Sequence, residues 1–269
     1  TLSWWAIGAS LIASNISAEQ MTGMSGSGFQ LGLAISSYEW MSALTLIIVA
    51  VFFMPVYLKN KIFTMPQFLN QRYNSKVAII MAVFWLLLYI VVNLLSILYL
   101  GAVAISGISG LDFTLSVFLL AIFSIFIALG GMKVVGYTSA IQVFFLVISG
   151  FIALFLSLKM IGGTEGISAG FHILKTETAD HFHMIFKKDN PNYIDLPGLS
   201  VLLGGMWIAN LNYWGCNQYI TQRALGASLP VARKGILFAA FLKMLMPFII
   251  VVPGIAMFYL NKHNLIDAS

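Results

Sequence analysis

The sequence predicts an all-α membrane protein that crosses the bilayer about seven times. Three observations carry this. Hydrophobic residues make up 60% of the chain and charged residues only 9%, where a soluble domain carries about 25% charge. The apolar residues gather into stretches long enough to span roughly 30 Å of hydrocarbon as helix. Polar clusters interrupt two of those stretches near mid-depth, and three ionisable residues, Glu19, Glu39 and Lys243, lie inside apolar surroundings.

The spans fall at Leu2–Met24, Gly32–Tyr57, Ala78–Ile105, Phe113–Leu129, Ala140–Met160, Leu199–Gln222 and Val231–Leu260. The connection after span two carries Lys59, Lys61, Arg72 and Lys76. The one after span four carries Lys133, and the one after span six carries Arg223, Arg233 and Lys234. These connections share one side, and the positive-inside rule places that side in the cytoplasm. The +5 net charge therefore reports topology and not nucleic-acid binding. The other side receives short glycine-rich links at Ser25–Gly28 and Gly107–Gly110 and one long segment, Gly162–Pro197. That segment holds His172, His181 and His183; without a third ligand at fitting spacing they read as solvated loop histidines. The single cysteine, Cys216, forms no disulfide within the chain, and no cleavable signal peptide is evident. The chain reads as a piece of a longer protein.

Span one contains Gly8-Ala9-Ser10 and then Ser14-Asn15-Ile16-Ser17-Ala18-Glu19-Gln20. Span six contains Gly204-Gly205 and then Asn210-Leu211-Asn212-Tyr213-Trp214-Gly215. Ser and Asn compete for backbone hydrogen bonds and Gly loosens a helix, so both segments are expected to unwind locally. Unwound backbone at membrane depth is tolerated only where it is buried in protein or lines a cavity. Interrupted spans at matching positions of two repeats point to a transporter-type binding site. Span one answering to span six gives a repeat of five helices. Close helix packing by small residues is the alternative reading of either cluster taken alone.

The charged and polar residues suit a polyol. Gln and Asn offer donors and acceptors, Glu accepts and Lys donates. Glu39 and Ser42 are three apart on one helix face, and Asn210, Tyr213 and Trp214 recur at i, i+3, i+4. Glu39–Lys243 also reads as a structural ion pair, Asn93 as an interhelical clamp, and Tyr213 and Trp214 as packing aromatics. Glu19 with Glu39 as paired catalytic carboxylates lacks a nucleophile-and-base arrangement, so an enzyme is not the reading. The arginines, Arg72, Arg223 and Arg233, all lie at the cytoplasmic edge. A carboxylated cargo would favour a bidentate guanidinium inside the membrane, so a neutral solute fits better.

Ile16-Ser17-Ala18-Glu19-Gln20 with Gly23-Met24-Ser25-Gly26, then Tyr38-Glu39-Trp40, Gly130-Gly131-Met132, Tyr213-Trp214-Gly215 and Asn217-Gln218-Tyr219 through Gln222-Arg223 resemble the sodium/solute symporter family, and most closely its sodium/sugar branch. The resemblance implies a leucine-transporter-type helical bundle of two inverted five-helix repeats. Residues 1–269 would then be a single, incomplete transmembrane core: the first repeat and two helices of the second. It implies sodium-coupled symport of a neutral, galactose- or glucose-like sugar by alternating access, in the cell inner membrane. Inositol-, proline- or vitamin-like cargo, or a non-transporting solute sensor, are the alternatives. The sugar ligands of the branch match Gln20, Glu39, Ser42, Asn93, Asn210 and Lys243, with Tyr213 stacking on the sugar and closing the inner side. Met24, Tyr38 and Trp214 match its hydrophobic gates, Tyr213 again among them. Sodium (Na+) would take backbone carbonyls of Ala13 and Ile16. Where family members commonly carry Asp after the Tyr/Trp-Thr pair of span five, this chain has Ser139 after Tyr137-Thr138, and the acid's role is not carried over. The partners implied are the sugar, sodium and the lipid bilayer, with oligomeric state left open.

Overall fold

The computed structural model describes residues 2–16, 18–196 and 198–266. Ser17 and Pro197 lie outside the described residues, as do the side chains of Ala18, Glu19, Met132 and Lys133. Span one is two helices, α1 (Trp4–Asn15) and α2 (Ala18–Leu31). Ile16, between them, is extended at φ −89° and ψ 102°. In the turn before the break Ser14 Oγ bonds back to the Ser10 carbonyl at 2.6 Å, a contact that bends helices. The backbone turns over at Gly32, whose φ of 73° is a conformation suited to glycine. A 3₁₀ turn (Gly32–Ser36) then leads into α3 (Ser37–Ile48). A π-turn (Val49–Phe53) joins α3 to α4 (Met54–Lys59). Pro55 follows that turn and has no amide to offer one turn back. Arg233 serves the carbonyls there, with Nε 3.1 Å from Ala50 O and Nη2 3.4 Å from Val51 O.

Next comes α5 (Met65–Arg72), capped by Thr64, whose hydroxyl accepts from the Gln67 amide. Asn74 caps α6 (Ser75–Leu87), which runs through a π-turn (Leu88–Leu94) into α7 (Leu95–Ser109). Asp112 caps α8 (Phe113–Leu129), and α9 (Gly131–Gly162) is span five. The long segment folds into α10 (Ile167–Glu177) and 3₁₀ turns at Ala179–Phe182 and Pro191–Tyr193. Span six is α11 (Gly198–Ser200), a π-turn (Val201–Gly205), α12 (Met206–Leu211) and a second π-turn (Asn212–Cys216). It breaks at Asn217 (φ −82°, ψ 124°), and α13 (Gln218–Leu225) follows. Span seven is α14 (Leu229–Met246), a π-turn at Pro247–Val251 and α15 (Val252–Lys262).

Among the described residues five helices are long and apolar enough to cross a membrane: Gln20–Lys59, Ser75–Ser109, Val134–Glu177, Pro191–Cys216 and Leu229–Lys262. The first joins the end of span one to span two through the Gly32 turn, and Phe113–Leu129 is a shorter apolar helix. The expected link at Ser25–Gly28 is not a link. Those residues belong to α2, and Gly28 serves close packing. A Cβ on Gly28 would sit 2.7 Å from the Val251 carbonyl oxygen.

Cross-contacts give the directions of the helices. Gly8 faces Gly235 and Gly28 faces Val251, so spans one and seven run parallel. Glu39 pairs with Lys243, whereas Ala50 meets Arg233, so span two runs against span seven. Asn210 meets Ser42, Gly215 meets Tyr57 and Gln218 meets Met65, so span six runs with span two and against span one. Spans six and seven thus repeat spans one and two with direction reversed. α1, α3, α14 and α15 form the centre, with α9 against them. The α6–α7 span buries few of its apolar side chains fully.

The long segment is seated on the end of the bundle away from α5 and α13. His181 is half-buried, stacked on Phe258 with ring centroids 4.0 Å apart. Its Nε2 lies 3.0 Å from the Phe29 carbonyl oxygen, to which it donates. The expectation of a solvated histidine therefore holds for exposed His172 and His183 and fails for His181. No group of three or more metal-type ligands forms among the described residues.

Candidate functional site

Residues on the two interrupted spans, Asn15 and Gln20 beside the first break and Tyr213 and Trp214 ahead of the second, line one cavity of about 490 Å³, walled by spans one, two, six and seven. Span one contributes Asn15, Gln20 and Met24. Span two gives Tyr38, Glu39 and Ser42, span six Asn210, Tyr213 and Trp214, and span seven Lys243. Six of the seven candidate ligands therefore meet on one surface. Glu39 and Lys243 are its only charged groups among the described side chains, and both are buried, at 2% and 1% exposed.

The polar groups form a connected network. Lys243 Nζ donates to Glu39 Oε2 at 2.6 Å, and Gln20 Nε2 donates to Glu39 Oε1 at 2.8 Å. Each carboxylate oxygen is thus held, one by span seven and one by span one. The Lys243 ammonium also stands 5.4 Å from the centroid of the Trp214 ring, a favourable cation–π placement. On the far wall Ser42 Oγ lies 2.8 Å from the Tyr38 carbonyl and 2.6 Å from Asn210 Oδ1, and Asn210 Nδ2 donates to the Met206 carbonyl at 3.0 Å. Tyr213 Oη accepts from Asn15 Nδ2 at 3.2 Å and shares a hydrogen bond with Tyr219 Oη at 2.8 Å. Its ring stands edge-on to Trp214.

Asn93 is placed differently. It lines a second cavity of about 340 Å³ that shares Asn15, Gln20 and Tyr213 with the first. Met24, Tyr38 and Trp214 are all on the wall of the first cavity, Trp214 being only 2% exposed. The sequence reading left out Asn15, Tyr89 and Tyr219. Asn15 touches both cavities and its Oδ1 is buried with no hydrogen-bond partner. Tyr89 Oη donates to Asn217 Oδ1 at 2.6 Å. Asn15 and Tyr219 stand in stretches the sequence already marks, but only the fold turns them inward.

At the α1 break the last helical carbonyls lose their amide partners. Ala13 lies in that last turn, and Ile16, extended and buried, is just beyond it. Backbone oxygens freed at such a point suit a small hard cation. Ser139 is buried in α9.

The sequence matches the sodium:solute symporter family over residues 1–268. It is 51% identical to the sodium/glucose cotransporter of Vibrio parahaemolyticus, covering all of this chain and 50% of that protein. It is 36% identical to the human sodium/myo-inositol cotransporter 2, covering 93% of this chain and 39% of that one. The chain thus spans half or less of the length of these relatives. A solved substrate-bound, outward-open structure of a Na+-coupled sialic acid symporter superposes with a TM-score of 0.86 at 21% identity, covering this whole chain and 55% of that one. The leucine-transporter-type fold expected from the sequence is therefore the fold of this chain. By family match and by its apolar helices, the chain is a multi-pass membrane protein of the sodium:solute symporter family.

Proposed function

We propose that the protein carrying this chain is a sodium-driven symporter of a neutral sugar. One observation carries the reading: polar side chains from four spans converge on a single cavity whose only acid and base among the described side chains neutralise each other. Gln20, Glu39, Ser42, Asn210 and Lys243 offer donors and acceptors to hydroxyls, each hydrogen bond to a charged group contributing about 1.5–3 kcal/mol. Asn93 joins them from the adjoining wall. Tyr213 provides an aromatic surface and the inner partition, with Met24 and Tyr38 on the opposite wall and Trp214 behind. Sodium binds the Ala13 and Ile16 carbonyls and steadies the break in span one, which ends one turn before Gln20. Ion and sugar thereby act on the same helix joint. A ligand shifts the outward–inward equilibrium only by its differential affinity for the two states, and shared control of this joint supplies the difference. The basic connections after spans two, four and six face the cytoplasm, which puts the sugar's entry at the end covered by the Gly162–Pro197 segment.

The test is uptake of radiolabelled glucose and galactose by proteoliposomes holding the full-length protein, under inward sodium, lithium, proton or no gradient. Sodium-dependent uptake lost in Gln20→Ala and Lys243→Ala is expected. No uptake of either sugar under any gradient overturns the sugar reading. A myo-inositol arm belongs in the same assay, given the 36% identity to an inositol cotransporter.

A further inference from the structure

We propose that Tyr57 and Gln218 are positioning residues that fix the bend in span six and leave the break in span one as the joint the ion works; this rests on the sodium-symport reading above. Both stand outside the two cavities. The bend lies at Asn217, whose backbone is extended. Breaking a helix orphans carbonyls before the break and amides after it. Two residues before Asn217, the Gly215 carbonyl accepts from Tyr57 Oη at 2.9 Å. One residue after it, Gln218 Oε1 accepts from the Met65 amide at 2.6 Å. That amide is itself an orphan of the first turn of α5: Thr64 takes the Gln67 and Phe68 amides, and Pro66 has none. The clasp therefore runs both ways, span two donating to span six on one side of the bend and span six accepting from α5 on the other. Shape holds the same place. A Cβ on Gly215 would stand 2.5 Å from the Phe53 ring, so the backbone of span six rests directly on span two. The Tyr57 ring is edge-on to Phe53 at 6.1 Å and to Phe68 at 5.9 Å, and both Tyr57 and Met65 are buried. Opening or closing the bend would break one of the two bonds and strand a buried polar group. Beyond the bend, α13 carries Tyr219, which shares a hydrogen bond with Tyr213 Oη. Fixing α13 to span two keeps that bond in place until span one moves.

The experiment is hydrogen–deuterium exchange of the purified full-length protein, with and without sodium and in the absence of sugar, read on peptides covering residues 13–20 and 212–222. In the wild type, sodium should slow exchange in residues 13–20 and leave residues 212–222 unchanged. Tyr57→Phe deletes the bond to Gly215; Gln218→Met deletes the one to Met65, together with the contact to Gln222. Each should speed exchange in residues 212–222 about fivefold, the factor that one lost hydrogen bond supplies, while residues 13–20 still answer to sodium. Glucose gives a second readout. Both variants should bind it within about twofold of the wild type, because Ser42 still holds Asn210, yet accumulate about fivefold less of it in sodium-driven uptake. Sodium slowing both peptides alike in the wild type overturns the fixed bend. Wild-type exchange and accumulation in the two variants overturn the role of Tyr57 and Gln218, as does a loss of accumulation that only follows a loss of affinity. No glucose bound by any of the proteins overturns the sugar reading, while exchange still decides the bend.

Discussion

Lys243→Met retains most of the side chain's length and removes its charge. Lys243 Nζ lies 2.6 Å from Glu39 Oε2, a gross attraction of about 6 kcal/mol at an effective dielectric of 20. Desolvation of two buried ions, several kcal/mol each, consumes most of it. The net value of the pair is therefore small, but the cost of breaking it is not. In Lys243→Met the Glu39 carboxylate keeps one described donor, Gln20 Nε2. An uncompensated buried charge costs about 3–5 kcal/mol. Glu39→Gln alone leaves the ammonium stranded and should cost a similar amount. The double variant, Glu39→Gln with Lys243→Met, buries no charge and should recover most of the loss.

Thermal unfolding of the four proteins in detergent without sugar tests this. Each single variant should melt well below the wild type, with the double restored to within a few degrees. Glucose affinity should behave otherwise. Loss of the charged partners removes hydrogen bonds worth about 1.5–3 kcal/mol, so the double variant should bind about 10- to 150-fold more weakly than the wild type. Melting temperatures of the singles that simply add in the double would refute the coupling. A double variant that binds glucose like the wild type would reduce the pair to a structural one.

Tyr213→Phe removes the hydroxyl shared with Asn15 and Tyr219; with about 1 kcal/mol per lost hydrogen bond, sugar efflux without sodium should rise several-fold, and unchanged efflux would refute the partition. Gly8→Leu drives a side chain into the Gly235 carbonyl, 2.6 Å from where its Cβ would stand, and should cost about 1–3 kcal/mol or more, read as lost monodisperse protein. A Cβ added at Gly23 meets nothing within 4 Å, and Gly23 lines the first cavity; Gly23→Leu should keep the melting temperature and raise the KM for sugar at least tenfold. His181→Ala removes the bond to the Phe29 carbonyl and the stack on Phe258, and should speed proteolysis within residues 163–196, read by limited digestion.

The spans were legible because crossing hydrocarbon imposes a length and a composition on each. Phe113–Leu129 is bounded as the sequence bounds it, since Asp112 caps one end and Gly130 closes the other. The break in span one was legible from Ser14 and Asn15, whose side chains compete with the helix. Ser25–Gly28 was misread because glycine marks a turn and a close helix contact equally, and only the neighbour at Val251 decides between them. Span five begins earlier than its apolar run, because α9 is already helical from Gly131. The place of Asn93 was not legible. It lies in the π-turn Leu88–Leu94, and one extra residue in a turn rotates everything beyond it by about 100°. A reading at 3.6 residues per turn cannot assign its facing. His181 was missed for a further reason: nothing local in a polar loop encodes docking onto Phe258.

Charge in the cavity constrains the cargo more than the fold does. The superposed sialic acid symporter shares the fold, and its substrate carries a carboxylate. In the present chain no arginine reaches the first cavity: Arg223 is held by Ser10 and the Tyr219 carbonyl, Arg233 by the Ala50 and Val51 carbonyls, and Arg72 is exposed. The one cation among the described side chains that does reach it, Lys243, is already bonded to Glu39. For an anion to take Lys243 it would have to displace a carboxylate at 2.6 Å and leave that carboxylate buried beside it. Two like charges in one low-dielectric cavity oppose binding by several kcal/mol. A neutral polyol meets no such opposition: its hydroxyls can accept from Lys243 and Gln20 and donate to Glu39 while the ion pair stays intact. Converting Glu39 to Gln should therefore weaken glucose binding and ease entry of a carboxylated sugar. Competition of glucuronate against radiolabelled glucose, in the wild type and in Glu39→Gln, measures both. A glucuronate affinity no higher in the variant would show that the carboxylate of Glu39 is not what excludes acids.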